Sequence, residues 1–304
     1  MKDVIIIGLG ASGISAAIYA KRSGLDVAVI NFGMPGGIIN TSSTVENYPG
    51  IKKITGSDLA FNLFDHFNSL NIPLYNEEVI DVIDGEIKKV ITAKNKYEAK
   101  KIIICSGRKP KKLGIKNEDK YIGKGISYCA TCDGNFYKNK NICVVGGGNS
   151  ALESALYLSN ICKNVYIIVR KNKFIGDNSL IKSIQNKENV IIKFNTIIET
   201  INGDDYVESI KTNNEKIDLN GIFINIGYEP SINILKKLNL KMDNNYIVVN
   251  RNMETSVKGI YAAGDIIKKD LYQLVTAVSE GAIAATNVFK SIKEWYFFHI
   301  LFLY

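Results

Sequence analysis

The 304-residue chain lacks the features that mark several classes of protein. It has five prolines, and with 46% apolar and 22% charged residues its composition excludes wholesale disorder. No apolar run reaches the roughly 18 residues that a membrane helix needs, so we expect no transmembrane segment. A strand-like segment begins almost at Met1, so we expect no signal peptide and a cytoplasmic location.

Histidine is scarce and cysteine is limited to five residues. The odd cysteine count, without a signal peptide, argues against a secreted disulfide scaffold. A structural zinc site needs four ligands, which the two distant histidines and the scattered cysteines do not supply. We therefore interpret Cys129 and Cys132, spaced as CxxC, as a redox-active pair, and the other three as small buried residues. Those three are Cys105, Cys143 and Cys162.

The net charge of +8 and the pI of about 9.0 leave several partners open. Nucleic acid, an acidic lipid surface, and an acidic partner or phosphate ligand all suit a basic protein. The lysines are spread along the chain without clustered arginine and aromatic motifs, so we expect no nucleic-acid binding. At roughly 100–200 residues per domain, the length indicates two domains.

A glycine turn between a strand and a helix stands at the start of the chain. The β-branched run 3–7 leads into Gly8-Leu9-Gly10-Ala11-Ser12-Gly13, an apolar helical pattern over 14–20, and a second strand over 25–30. Glycines let the backbone approach a pyrophosphate, and the helix N-terminus supplies free N–H groups. This strand–turn–helix–strand unit is typical of a dinucleotide-binding site.

The same unit occurs a second time in the middle of the chain. A strand over 141–145 precedes Gly146-Gly147-Gly148-Asn149-Ser150-Ala151, which is followed by a helix to about 159 and a strand over 164–169. Strand–glycine segments at 101–107 and 221–227 follow the two units, and the alternating stretches 77–100 and 190–220 predict meander strands. Two complete units imply two dinucleotides, typically a bound flavin and a mobile nicotinamide.

The segment Cys129-Ala130-Thr131-Cys132-Asp133-Gly134 lies shortly before the second glycine turn. The order of first turn, CxxC and second turn resembles the low-molecular-weight thioredoxin reductase family. Further matching stretches are 45–50 (VENYPG), 155–160 (ALYLSN) and 255–265 (TSVKGIYAAGD). The resemblance covers nearly the whole chain.

This resemblance implies a fold and two cofactors. The fold is α/β, with two Rossmann-like, three-layer ββα nucleotide-binding domains, the second inserted in the first. Residues 1–112 and 245–304 would form the FAD-binding domain, and 113–244 the NAD(P)H-binding domain that carries the CxxC. The implied FAD contacts are Gly8, Gly10, Ser12, Gly13, Gly36, Gly37, Asn47, Gly264, Asp265, which would hold the ribitol, and Gln273 at a helix start. The implied NADPH contacts are Gly146, Gly148, Asn149, Ser150, Ala151, Arg170 and Lys171.

The resemblance also implies a homodimeric enzyme that passes electrons from NADPH through FAD and the Cys129–Cys132 disulfide to thioredoxin or a thioredoxin-like protein. Cys132 would be the flavin-side cysteine, Cys129 would attack the partner disulfide, and Asp133 would be the acid–base group. A proton donor is needed in any case, because leaving thiolates must be protonated. Asp133-Gly134 also suits an ordinary turn.

The chain departs from the family pattern at the nicotinamide site. Where most members have His-Arg-Arg-x-x-x-Arg, this chain has Val169-Arg170-Lys171-Asn172-Lys173-Phe174-Ile175. A site for NADH would usually place an acidic residue at the strand end, and none stands there, so NADPH is the expected donor. A reductase that uses NADH or ferredoxin, and a non-catalytic flavin-binding redox sensor, remain the alternatives.

Other departures lie at the flavin side and at the C-terminus. The family segment Gly-Gly-Gln is Gly36-Gly37-Ile38 here, and the arginine that usually precedes Gln273 is replaced by Tyr272. The tail 294–304 is unusually aromatic, but it is too short to span a bilayer. We assign the tail no function.

Overall fold

The computed structural model describes residues 1–42, 44–232, 235 and 237–301, with the backbone alone described for 294–301. The chain divides into two compact units. Unit 1 combines Met1–Lys109 with the segment from Pro230 onward, and unit 2 is Pro110–Glu229. The aromatic side chains of the tail therefore lie outside the described residues.

The strands and helices follow the chain in three groups. The first group is β1 (Lys2–Ile7), α1 (Ala11–Arg22), β2 (Val27–Asn31), α2 (Gly56–Asn68), β3 (Leu74–Asn76), β4 (Val79–Ile83), β5 (Lys88–Thr92), β6 (Lys96–Ile104) and β7 (Arg108–Pro110). The second is α3 (Glu118–Tyr121), β8 (Ile126–Ser127), α4 (Ala130–Asp133), β9 (Asn141–Val145), α5 (Asn149–Ser159), β10 (Asn164–Val169), α6 (Asn178–Gln185), β11 (Val190–Phe194), β12 (Ile198–Asn202), β13 (Ser209–Thr212), β14 (Lys216–Asp218) and β15 (Gly221–Ile224). The third is β16 (Tyr228–Pro230), β17 (Met242–Asp243), β18 (Tyr246–Ile247), β19 (Ile260–Ala262) and α7 (Leu274–Leu301), and 3-10 turns cover Gly37–Thr41 and Gly134–Tyr137.

Unit 1 is built on a mixed sheet with the order β3-β2-β1-β6-β5-β4, and β19 pairs with β6. The strands β3, β2, β1, β6 and β19 are parallel, whereas β4 and β5 form an antiparallel meander on β6. The isoleucines and valines of β1 and β6 are fully buried between two core layers. Such buried, β-branched runs are typical of parallel strands that are covered on both faces.

Helices α1 and α7 pack closely in the core on one face of this sheet. Their contact is lined by small residues, including Ala16, Ala17, Ala284 and Ala285, all of which are fully buried. A Cβ at Gly281 would overlap the carbonyl oxygen of Ser12. The two helices therefore approach each other closely, next to the first glycine turn.

Unit 2 has a parallel sheet with the order β11-β10-β9-β15-β8 and a separate antiparallel meander β12-β13-β14. The second sheet repeats the design of the first, with a glycine turn joining β9 to α5. In the described part of the chain no helix combines the length and apolar character needed to cross a membrane.

The observed architecture confirms the predicted α/β class, with Rossmann-like sheets and one unit inserted in the other. The chain re-enters unit 1 at Pro230, whereas the predicted boundary lies after residue 244. The reason is that Leu235 and Leu238 are buried in the core of unit 1, and lysine- and asparagine-rich composition gives no sign of this packing. The assignment of FAD to unit 1 and of NAD(P)H to unit 2 stays a prediction.

Candidate active site

The CxxC segment forms a disulfide between Cys129 and Cys132 at the short helix α4. Cys129 is half-buried and Cys132 is exposed. The backbone N–H of Cys132 donates to Sγ of Cys129 at 3.1 Å. A hydrogen bond to sulfur favours the charged form of a cysteine. The local backbone is thus arranged to support a thiolate at Cys129 once the disulfide is reduced.

Asp133 follows the disulfide and is held by a buried serine. Oγ of Ser127, a residue 5% exposed, donates to Oδ2 of Asp133 at 2.7 Å. The same oxygen accepts the backbone N–H of Cys129 at 3.0 Å. One hydroxyl group therefore connects the predicted acid–base group to the predicted attacking cysteine, a contact that the DG turn interpretation does not anticipate.

A buried glutamate supports the other side of the CxxC segment. The carboxylate of Glu118, which is 3% exposed, accepts the backbone N–H groups of Leu113 and Gly114 at 2.9 and 2.8 Å. It also accepts the hydroxyl of Tyr128 at 3.2 Å. Burial, and then the charge of Glu118, raise the pKa of Tyr128, which keeps this hydroxyl protonated beside Cys129. The sequence gives no signal for this contact, because Glu118 lies in an irregular, lysine-rich stretch.

Unit 1 contains a cavity of about 440 Å³ at the carboxyl ends of β1 and β6. Most of the predicted FAD contacts line it, namely Gly8, Gly10, Ser12, Gly36, Gly37, Asn47, Asp265 and Gln273. Gly13 and Gly264 are not among the residues that line it. The side-chain amide of Asn47 donates to Oε1 of Gln273 at 3.1 Å, so two predicted contacts from distant parts of the chain meet in this cavity.

The glycines of the first turn have different spatial roles. A Cβ at Gly8, where φ is +99°, would overlap the carbonyl oxygen of Cys105, and one at Gly13 would overlap the carbonyl oxygen of Gly8. At Gly10 the nearest atoms would be Gly36 O at 3.9 Å and Gly37 Cα at 4.0 Å. Gly8 and Gly13 thus serve close packing, whereas Gly10 leaves open space at the N-terminus of α1. This space fits the pyrophosphate of a dinucleotide.

Charged residues at the cavity surround Asp265. Arg108 donates through Nε and Nη2 to Oδ2 of Asp265, at 3.1 and 2.6 Å, and Lys269 Nζ lies 3.3 Å from Oδ1. The guanidinium carbon of Arg108 also lies 4.6 Å from the ring centroid of Tyr272. Arg108 was not among the predicted site residues, because nothing in its local sequence connects it to Asp265.

Unit 2 contains a cavity of about 850 Å³ at its own glycine turn. Gly146, Gly148, Asn149, Ser150, Arg170 and Lys171 line it, whereas Ala151 lies behind the turn. A Cβ at Gly146 would overlap the carbonyl oxygen of Asn225, but one at Gly148 would meet only Ile175 Cγ1, at 4.0 Å. Gly148 therefore corresponds to Gly10, and this turn also leaves room for a pyrophosphate.

The loop that follows β10 is attached to this turn. Oδ1 of Asn149 accepts the backbone N–H of Asp177 at 2.7 Å, and its amide donates to Asp177 Oδ2 at 2.8 Å. The N–H of Ile175 donates to the carbonyl of Gly147 at 2.8 Å. The side chain of Asn149, a predicted NADPH contact, therefore positions the loop that carries the basic residues.

Positive charge and an unsatisfied acceptor characterise the cavity of unit 2. Arg170, Lys171 and Lys173 are exposed at its edge, and among the described residues no carboxylate forms a salt bridge with any of them. Oδ1 of Asn225 is buried and has no hydrogen-bond partner within the described residues. Both features suit an anionic ligand that also carries hydrogen-bond donors, as a nicotinamide dinucleotide phosphate does.

The three remaining cysteines are buried and unpaired in disulfides. Burial raises the pKa of Cys105 to about 12 and that of Cys162 to about 11, and it also raises the pKa of Cys143. At neutral pH these thiols stay protonated and unreactive. This confirms their interpretation as small buried residues and leaves Cys129 and Cys132 as the reactive pair.

Comparisons with known proteins identify the family of this chain. Residues 2–281 match the family described as Pyridine nucleotide-disulphide oxidoreductase. The thioredoxin reductase of Bacillus subtilis is 37% identical over 300 residues, which cover 96% of this chain and 95% of that protein. The crystal structure of Lactococcus lactis thioredoxin reductase matches with a TM-score of 0.87 and 34% identity, over 97% of this chain and 100% of that one. T. acidophilum thioredoxin reductase matches with a TM-score of 0.83 and 37% identity, over 95% and 98%. The chain therefore belongs to the pyridine nucleotide-disulphide oxidoreductase family, as a member of its low-molecular-weight thioredoxin reductases.

Proposed function

We propose that this enzyme transfers electrons from NADPH, through bound FAD and the Cys129–Cys132 disulfide, to the disulfide of a thioredoxin or thioredoxin-like protein. The observation that carries the proposal is the disulfide itself, with a carboxylate positioned beside it. The two dinucleotide-shaped cavities and the family membership supply the context. A redox sensor without catalysis has no need for this pairing of a disulfide with an acid.

FAD occupies the cavity of unit 1. The open space at Gly10 accepts its pyrophosphate, and the N-terminus of α1 offers free N–H groups to it. Asn47, Asp265 and Gln273 line the remainder of the cavity. When bound, the flavin supplies the two-electron chemistry that connects a nicotinamide with a disulfide.

The reduced cysteine pair then performs thiol–disulfide exchange. Asp133 accepts the thiol proton of Cys129, and the resulting thiolate bonds to one sulfur of the partner disulfide. The S–S bond of the partner breaks, and Asp133 returns the proton to the released sulfur. Cys132, as a thiolate, next attacks Sγ of Cys129, which restores the internal disulfide and releases the second partner sulfur. Ser127 keeps the carboxyl group of Asp133 oriented throughout. The net result is one pair of thiols oxidised to a disulfide in this enzyme and one disulfide reduced to two thiols in the partner.

NADPH binds in the cavity of unit 2. Arg170 and Lys171 meet the 2′-phosphate of the nucleotide, and Gly148 leaves room for its pyrophosphate. The absence of an acidic residue at the end of β10, where Val169 stands, disfavours NADH, since that position usually binds the ribose hydroxyls.

The enzyme is a homodimer in the cytoplasm. Three buried free thiols suit a reducing compartment. Sedimentation of the purified protein would test the assembly, and a monomer mass would contradict it.

Anaerobic mixing of the purified yellow protein with NADPH, NADH or reduced ferredoxin tests the proposal directly. We expect NADPH alone to bleach the flavin absorbance rapidly. Bleaching by ferredoxin, with no response to either nicotinamide, would overturn the choice of donor.

The role of the cysteine pair is tested in two variants. Cys132→Ser should leave flavin reduction by NADPH intact and abolish turnover of thioredoxin, because the internal disulfide can no longer form. Cys162→Ser, in a buried cysteine outside the site, serves as the matched control and should keep turnover. Persistent turnover in Cys132→Ser would contradict the assigned chemistry.

A further inference from the structure

The side chain of Arg108 bridges two groups that line the cavity of unit 1. Its guanidinium donates twice to Oδ2 of Asp265 and lies 4.6 Å from the centroid of the Tyr272 ring. The side chains of Arg108 and Asp265 are only 21% and 20% exposed. This arrangement combines a charge-assisted hydrogen bond with a cation–π contact, both of which strengthen away from water.

Arg108 and Asp265 come from distant parts of the chain. Asp265 and Arg108 are 157 residues apart in the chain, and Arg108 opens the strand β7 shortly after β6 ends. Tyr272 immediately precedes Gln273, and both residues line the cavity. The guanidinium of Arg108 therefore lies against a residue that adjoins a predicted flavin contact.

The charges around Asp265 show what Arg108 contributes. Lys269 lies 3.3 Å from Asp265 and 2.9 Å from Glu280, and Glu280 also accepts the backbone N–H of Gly264. Within this group of four residues, two carboxylates and two cations balance one another. Removing Arg108 would take one positive charge from this group of four residues, and Asp265, which lines the cavity, would then face a ligand that carries phosphates with less of its charge offset.

We propose that Arg108 is a positioning residue for the flavin cofactor, which supplies positive charge to the cavity from the start of β7. It holds the carboxylate of Asp265 in the cavity and offsets the charge of that carboxylate toward the anionic cofactor. Tyr272 provides the surface on which the guanidinium rests. The inference rests on the proposed function, because it takes FAD to be the ligand of this cavity.

The test compares FAD affinity among full-length variants, measured by the fluorescence of flavin released when each purified protein is diluted. Arg108→Ala should raise the dissociation constant about 10- to 100-fold, since a charge-assisted hydrogen bond and a charge balance are lost. Arg108→Lys keeps the positive charge but loses the planar guanidinium that donates twice to Asp265. It should weaken FAD binding about three- to tenfold. Arg251→Ala, in an exposed arginine of the same unit that does not line the cavity, is the matched control and should bind as the wild type.

The decisive variant restores a guanidinium from position 272, whose ring Arg108 contacts in the wild type. Arg108→Ala combined with Tyr272→Arg should return the dissociation constant to within about threefold of the wild-type value, an outcome that general damage to the fold cannot produce. Affinity in Arg108→Ala within twofold of wild type, or no recovery in the double variant, would overturn the inference. If Arg108→Ala does not fold, the lysine variant decides: wild-type affinity there would also overturn it. A wild-type protein that binds no FAD would instead refute the proposed function.

Discussion

The contrast between Gly10 and Gly13 predicts that two identical substitutions have opposite consequences. Gly10 has φ −78° and ψ −173°, an extended conformation that alanine adopts readily. Since an added methyl group would have no protein atom closer than 3.9 Å, Gly10→Ala should change the free energy of unfolding of the flavin-free protein by no more than about 1 kcal/mol. The melting temperature of that form should then change by no more than about 4 °C.

The same methyl group would occupy the space in which we propose that the pyrophosphate of FAD binds. Carbon and oxygen atoms need roughly 3.5 Å between them, so the cofactor must move away from the N–H groups of α1. We expect the dissociation constant of FAD to rise at least 100-fold, which corresponds to about 2.7 kcal/mol. Gly13→Ala would instead force a Cβ into the carbonyl oxygen of Gly8, at a cost of about 1–3 kcal/mol or more to the fold.

Two measurements separate these effects. Thermal unfolding of the flavin-free proteins should show a loss of several degrees for Gly13→Ala and little change for Gly10→Ala. The ratio of flavin to protein absorbance after purification should fall sharply for Gly10→Ala. If Gly10→Ala retained FAD as tightly as the wild type, the cofactor would not pass over this glycine, and the assignment of the cavity would fail.

Three further predictions follow from the other sites. Gly148→Ala should retain FAD but slow flavin reduction by NADPH at least tenfold, because the added methyl group enters the open space of the second glycine turn. Flavin reduction at the wild-type rate would refute the placement of NADPH in this cavity. Ser127→Ala should lower thioredoxin turnover roughly tenfold and leave flavin reduction unchanged, because a charge-assisted hydrogen bond to Asp133 is lost; unchanged turnover from pH 6 to 9 would show that Asp133 needs no such support. In the reduced native enzyme at pH 8, a chromogenic disulfide reagent should react rapidly with two thiols, and with all five only after denaturation. The reason is that burial raises the pKa of Cys105 to about 12 and that of Cys162 to about 11. A third rapid thiol would contradict the burial of these cysteines.

The sequence was sufficient to predict those elements that local pattern determines. The strands Asn141–Val145 and Asn164–Val169 have the predicted bounds, because each is a mostly β-branched run that follows a lysine and ends before Gly146 or Arg170. The helices of both units begin earlier than periodicity indicates, at Ala11 and Asn149. In both cases the glycine turn leads directly into the helix. The first helical turn consists of polar or small residues, which show no apolar periodicity, so the pattern does not reveal where the helix starts.

Contacts between distant residues were beyond prediction from one sequence. The amide of Asn47 meets Gln273, and the guanidinium of Arg108 meets Asp265, only because β6, β19 and the start of α7 converge at one edge of the sheet. Asn149 is a second example, since its side chain is engaged by Asp177. Motif matching places such residues at a site but does not reveal what their side chains contact there.

The split construction of unit 1 determines the order in which the chain can fold during synthesis. Strand β19 and the buried residues of α7, as far as Ile292, complete a sheet and a helix pair that begin with β1 and α1. At about 5–20 residues per second, a ribosome needs roughly 10–40 s to reach them after residue 109. Throughout this interval the open edge of β6 and the apolar face of α1 lack their partners, whereas the continuous segment Pro110–Glu229 can already close its own core. The cavity that we assign to FAD is therefore completed only after the ribosome has synthesised the chain as far as Gln273 and the start of α7.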